Sequence, residues 1–211
     1  MAKSTASFRL NNFIRSASDH SLFINHDRQV ILLVYVDRLM LAAPTSSQID
    51  WIRLKLHEEF EMTDLGELRT FLGLEINRDR PKRILHLSQT KYIQKILENH
   101  GMMGCNPCTT PADPHVRLAK SHQPFEASET EKKKYESAVL SLMYAMVGTW
   151  PDIAYAVSKV SQYSINPNPT HWTAVIRIFR YLAGSPNRGL YYRGQGSGSG
   201  FTNADWGSSD N

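Results

Sequence analysis

The chain has 211 residues, 41% hydrophobic and 21% charged, the composition of a globular protein with enough apolar surface for one large domain or two small ones. Its 24 Lys and Arg against 20 Asp and Glu give a formal net charge of +4, spread along the chain and not gathered into the basic stripe usual in nucleic-acid binders. No run approaches the roughly 20 apolar residues of a membrane span, and MAKSTASFRLNNF lacks the apolar core of a signal peptide, so the expectation is an intracellular chain without a membrane partner.

The first element is ILLVYVDRLMLAA, residues 31–43, two apolar runs around Tyr35-Val36-Asp37-Arg38, which reads as a buried hairpin with a carboxylate at its turn. SSQIDWIRLKLHEEFEM follows, with Ile49, Ile52, Leu56 and Phe60 at helical spacing behind a Ser cap. TFLGLEI and RILHLS, joined by the turn-prone NRDRPK, predict a second hairpin. SQTKYIQKILENHG predicts another helix, with Tyr92, Ile93, Ile96 and Leu97 on one face, Ser88 as cap and Gly101 as stop. Residues 104–127 carry four prolines and little periodicity, which predicts a linker between two folding regions.

Three helices are expected beyond it. Residues 130–147 turn Tyr135, Val139, Leu142, Met143 and Met146 inward; 151–164 open on Pro151; 170–183 turn Trp172, Val175, Phe179 and Leu182 inward. The chain finishes with GLYYRG, the Gly/Ser run GQGSGSG and FTNADWGSSDN, which read as the opening hairpin of a further domain. Cys105 and Cys108 form CNPC, but no second Cys pair exists, so a four-Cys zinc site is excluded and the pair reads as two reduced thiols in a loop. The histidines show no metal-ligand spacing.

Taken in order, DHSLFI, VILLVYVDRLMLAA, LHEEFEMTDLGELRTFLGLEI, LHLSQTKYIQKIL, SLMYAMVGTWPDIAYAVSKVSQYSINPNPTHWTAVIRIFRYLAGSPNRGLYY and TNADW resemble the reverse transcriptase of copia-type (Ty/copia) long-terminal-repeat retrotransposon Pol polyproteins. The resemblance runs from about residue 8 to the end. It implies an α+β fold: a partial palm and thumb over 1–103, the proline-rich linker 104–127, a helical connection over 128–186, and the truncated start of a ribonuclease H-like domain over 187–211. It also implies an RNA-directed DNA polymerase, acting on an RNA or DNA template-primer alongside other Pol regions, in a cytoplasmic virus-like particle or the nucleus.

Such enzymes use two Mg²⁺ ions roughly 3.5–4 Å apart, which need several carboxylates to hold them. The resemblance places those carboxylates on an early palm strand and on a Tyr-Val-Asp-Asp hairpin. Asp37 matches the first aspartate of that pair and is the metal-ligand candidate; Arg38 stands where the second belongs. A fixed cation that cannot deprotonate thus replaces an anion beside a dication site, and metal occupancy should fall. The early-palm aspartate is expected upstream of residue 1, since Asp19 lies too close to the hairpin. Asn203 replaces the first ribonuclease H aspartate, and an amide is a weaker ligand for a hard cation.

The resemblance further marks Leu72 and Gly73, in FLGLEI, as a segment that positions the primer end. Arg177 and Arg180, three apart on one helix face, are candidates for tracking a nucleic-acid backbone. The expectation is a retrotransposon-derived fragment without polymerase or nuclease activity. Its alternatives are a non-catalytic nucleic-acid-binding module, a partial enzyme completed by another chain, and a degenerate reading frame without function.

Overall fold

The computed structural model describes residues 12–120 and 125–194, which form two compact units dividing between Leu68 and Arg69. Asn203 and the TNADW stretch lie outside the described residues.

In the first unit four antiparallel strands, β1 (Ile14–Arg15), β2 (Leu22–Asn25), β3 (Val30–Tyr35) and β4 (Arg38–Ala42), pair in sequence order. The register sets Phe23 opposite Leu32, Leu32 opposite Leu41 and Tyr35 opposite Arg38. Side chains alternate across a strand, so the apolar run of β3 divides between two faces. Val30 and Leu32 are fully buried, whereas Ile31 and Tyr35 are more than two-fifths exposed. The hairpin read as buried is therefore buried on one face only, the face that meets a single helix.

That helix, α1 (Ser46–Glu59), contributes Ile52 and Leu56 to a core with Phe13, Phe23, Val30 and Leu32. Burying each such side chain is worth about 1.5–3 kcal/mol. Its cap is Thr45 and not the following serine: the Thr45 hydroxyl accepts from the Gln48 amide while the Gln48 side chain accepts from the Thr45 amide. Gln48 Nε2 also donates to the Arg28 carbonyl at 2.6 Å, and the Arg28 guanidinium lies 4.1 Å above the Trp51 ring, tying the helix start to the β2–β3 turn.

The second unit joins another antiparallel sheet to four helices. The strands β5 (Thr70–Phe71), β6 (Leu74–Asp79), β7 (Ile84–Ser88) and β8 (Gly189–Arg193) pair in that order. β8 runs beside β7, Ser88 opposite Gly189 and Ile84 opposite Arg193. The GLYYR segment, read from sequence as opening a further domain, is thus the outer strand of this sheet.

The helices are α2 (Thr90–Asn99), α3 (Glu129–Gly148), α4 (Ala154–Ser161) and α5 (Pro169–Ala183), with a short 3₁₀ turn at Pro151–Ile153. α3 is capped by Ser128 with Glu131, and α5 by Asn168 with His171, in reciprocal boxes. α2 begins one residue after Gln89, which gives no side-chain cap; Ser88 belongs to β7.

One continuous core includes Ile93, Ile96 and Leu97 of α2, Tyr135, Val139 and Leu142 of α3, Trp150, Val157, Val160, and Val175, Ile178, Phe179 and Leu182 of α5. Met143, expected inward, is 38% exposed, because α3 is covered on one side only. The core also spans the region expected to be a boundary. Residues 104–120 have no regular secondary structure, but they are strapped across α5 and do not separate folding regions. Tyr163 Oη donates to the Leu118 carbonyl at 2.7 Å, and the buried His171 ring bonds the Ala119 carbonyl at 3.0 Å.

Candidate functional site

Three places collect the residues singled out by sequence: the β3–β4 turn in the first unit, and the β5–β6 turn and the α5 arginines in the second.

The β3–β4 turn is a two-residue loop, Val36-Asp37, closed by the Tyr35–Arg38 pair. Val36 is 79% exposed with φ 54°, in the left-handed region where a β-branched residue is disfavoured. Holding it there costs about 1–3 kcal/mol. The register leaves Asp37 in the loop beside Val36, with Arg38 as the first residue of β4. Both are exposed, so the tip presents one carboxylate and one guanidinium to solvent. Among the described residues no group of three or more His, Cys, Asp or Glu side chains gathers as a cation site. The donor set does not fit a pair of Mg²⁺ ions, which need several anionic oxygens and no adjacent fixed cation.

The β5–β6 turn is also a two-residue loop, Leu72-Gly73, between the paired Phe71 and Leu74. Both loop residues have positive φ, 48° and 74°. That combination suits the twist of a tight hairpin but favours Asn-Gly or Gly-Gly over Leu-Gly. Leu72 is nevertheless 39% exposed, so its side chain does not hold the turn by burial. The hold comes from α3, where Tyr144 Oη donates to the Leu72 carbonyl at 2.6 Å. Nothing in the local sequence signals this contact, since the two residues lie 72 positions apart.

Arg177 and Arg180 lie on one face of α5, as their spacing predicts, but both are engaged by their own chain. Arg177 donates to the Thr110 carbonyl at 3.2 Å, to the Thr110 hydroxyl at 2.9 Å and to the Asp113 carboxylate at 3.1 Å. Arg180 Nε donates to the Asn106 carbonyl at 2.6 Å. The Cys108 thiol packs beneath them, donating to the Arg177 carbonyl at 3.3 Å. The two arginines thus fasten the 106–113 segment to the helix, and CNPC is part of that strap. Both cysteines are free and half-buried, in keeping with reduced thiols.

A second polar cluster was not singled out by sequence. Tyr181 Oη donates to Asp152 at 2.5 Å, Arg188 reaches both at 3.1 and 2.7 Å, and its guanidinium lies over the Trp150 ring. Burial and the neighbouring Asp152 carboxylate hold the Tyr181 phenol above its usual pKa. The cluster joins the 3₁₀ turn, α5 and the approach to β8, a structural role for residues whose types alone carry no signal. No helix among the described residues is long and apolar enough to cross a membrane.

The profile of the reverse transcriptase (RNA-dependent DNA polymerase) family matches residues 3–114. The chain is 38% identical over 92% of its length to the retrovirus-related Pol polyprotein from transposon TNT 1-94 of Nicotiana tabacum, covering 15% of that protein. It is 35% identical, also over 92% of its length, to the Pol polyprotein from transposon RE1 of Arabidopsis thaliana, covering 13% of it. An uncharacterized mitochondrial protein of Arabidopsis thaliana is 35% identical over 76% of the chain, which covers 64% of that relative. The chain therefore spans about one-seventh of the Pol polyproteins it matches and under two-thirds of the shorter relative. No solved structure matches it.

Proposed function

The chain belongs to the reverse transcriptase (RNA-dependent DNA polymerase) family, and from that premise we propose that it is a retrotransposon-derived fragment that holds a template-primer duplex without extending it. One observation carries the reading: Arg38 follows Asp37 at the tip of the β3–β4 hairpin, where the resemblance calls for a second aspartate. A fixed guanidinium on the next residue opposes a divalent cation at the only carboxylate of the turn, and among the described residues no group of three or more His, Cys, Asp or Glu side chains gathers to hold one. The ancestral chemistry is nucleotidyl transfer by two bound Mg²⁺ ions. The tip supplies one ligand of the several required.

Nucleic-acid holding falls to the second unit, with the exposed Leu72-Gly73 turn as the contact near the primer end. Arg177 and Arg180 act indirectly in this reading, because the strap takes up their hydrogen bonds. The partners are an RNA or DNA template-primer and other regions of a Pol polyprotein. The degenerate reading, without any function, is favoured by the exposed apolar residues of the β3–β4 hairpin, Ile31 and Val36 among them.

The test is primer extension on an RNA template with Mg²⁺, using the native chain beside Asp37→Ala and Arg38→Asp, together with duplex binding at several salt concentrations. The expected result is no extension by the native chain, and binding that weakens steeply with salt as phosphate contacts are screened. Extension by the native chain that vanishes in Asp37→Ala overturns the inactive reading. Absence of binding at low salt leaves the degenerate one.

A further inference from the structure

We propose that Tyr144 is a positioning residue for the nucleic-acid contact: its hydroxyl holds the Leu72-Gly73 turn in its left-handed conformation and so sets where Leu72 meets the end of a template-primer duplex. The inference rests on the reading of that turn given under the proposed function. It adds a residue from a distant helix that neither the family resemblance nor the turn's own sequence assigns.

The turn needs an external hold. Leucine at φ 48° brings its Cβ against backbone, a clash that Gly lacks and that Asn offsets by local hydrogen bonding, and the Leu72 side chain, 39% exposed, is not locked in a core. The Tyr144 hydroxyl supplies the hold by bonding the Leu72 carbonyl at 2.6 Å. The same hydroxyl is close enough to Gly73 that a Cβ added there would lie 2.6 Å from it. Gly73 is therefore required twice, once for its φ of 74° and once for the approach of the tyrosine.

Tyr144 is itself fixed. Its ring lies 4.6 Å from that of Tyr92 at 59°, and the Tyr92 hydroxyl donates to the Ser141 carbonyl one turn earlier in α3. Gln89, fully buried at the start of α2, donates to the Tyr144 carbonyl at 3.5 Å and accepts from the Thr149 hydroxyl at 3.0 Å. The β7–α2 junction and both ends of this helical turn thus converge on the residue that holds the hairpin. Because Leu72 stays exposed while its backbone is clamped, the arrangement presents a side chain and does not bury one.

The experiment measures amide exchange at Leu72, Gly73 and Leu74, and binding to an RNA–DNA duplex with a recessed 3′ end against a blunt duplex of equal length. It compares the native chain with Tyr144→Phe, which keeps the ring and loses only the hydroxyl. Tyr163→Phe, which removes a hydroxyl bonded to the Leu118 carbonyl and not to the turn or to Tyr144, is the control. The expected result is faster exchange confined to the turn in Tyr144→Phe and loss of about fivefold in affinity for the recessed end, the equivalent of one hydrogen bond. Blunt-duplex binding and the Tyr163→Phe control should hardly move. Gly73→Ala, which drives a Cβ against the same hydroxyl, should reproduce the loss from the other side. Unchanged turn exchange in Tyr144→Phe overturns the proposal, and so does faster exchange with the recessed-end preference intact. A native chain that binds neither duplex overturns the reading of the turn itself and takes this inference with it, a result distinct from binding that ignores Tyr144.

Discussion

Replacing His171 by alanine tests how the irregular 104–120 segment is held. The ring is 1% exposed and both nitrogens are committed: Nδ1 accepts from the Asn168 amide at 3.0 Å, which leaves Nε2 to donate to the Ala119 carbonyl at 3.0 Å. It also stacks on Tyr163 at 3.8 Å and 19°. Losing two buried hydrogen bonds costs about 1 kcal/mol each, and losing an aromatic pair another 0.5–1.5 kcal/mol or so. His171→Ala should thus lower the unfolding free energy of the second unit by about 3 kcal/mol at pH 7.5, read from urea titrations. The pH dependence is the sharper arm, because only a neutral ring has an acceptor at Nδ1. Burial pushes the His171 pKa down, against a smaller upward pull from the Ala119 carbonyl, while the unfolded residue titrates near the ordinary value of about 6.5. Below that value the unfolded state binds a proton that the folded state refuses. Stability should therefore be full above about pH 6.5 and fall as pH drops toward the folded pKa, by at most about 1.4 kcal/mol per pH unit for this residue. His100, whose pKa burial also lowers, adds a loss of the same sign, so some pH dependence should survive in the variant. An identical stability difference between pH 7.5 and 5.5 in native protein and His171→Ala would refute the two-bond account.

Three further outcomes follow from named contacts. Arg177→Ala should destabilise the second unit by about 1–2 kcal/mol in chemical denaturation, through loss of three bonds to Thr110 and Asp113, while leaving duplex affinity within about twofold; a large affinity loss with unchanged stability would return the residue to direct phosphate contact. Val36→Gly should raise the unfolding midpoint of the first unit, by about 1 kcal/mol equivalent, because glycine tolerates φ 54° without strain. Gly148→Ala should cost about 1–3 kcal/mol in thermal unfolding, since its Cβ would lie 2.3–2.6 Å from the fully buried Gln89 side chain, which has little room to yield.

The contrast between Leu72-Gly73 and Arg177 shows where local reasoning stops. Hairpins, helix spans and most inward faces follow from periodicities of 2 and 3.6 residues, so Ile52 and Leu56, Tyr135 and Leu142, and Val175 and Phe179 are placed in cores by spacing alone. The Asp37–Arg38 tip is legible for the same reason: its flanking strands pair directly across a two-residue loop. The cap of α1 reads as a serine beside Thr45, because neighbouring Ser and Thr offer the same chemistry and backbone geometry selects between them, whereas Ser88 is claimed by β7 and leaves α2 without a side-chain cap.

By itself the sequence determined the family, the order of elements and the pairing of a carboxylate with a guanidinium at Asp37-Arg38, all carried by chemistry within a few residues or by motif order along the chain. Only the tertiary structure decided the rest: that 104–120 is a strap and not a divider, that β8 completes the second sheet, that the α5 arginines are consumed by Thr110, Asp113 and Asn106, and that Tyr144 grips a turn 72 positions away. The physical reason is that a buried or strained backbone group must find a partner wherever packing brings one. Such partners are chosen by proximity in space, which residue types and spacings along the chain do not encode.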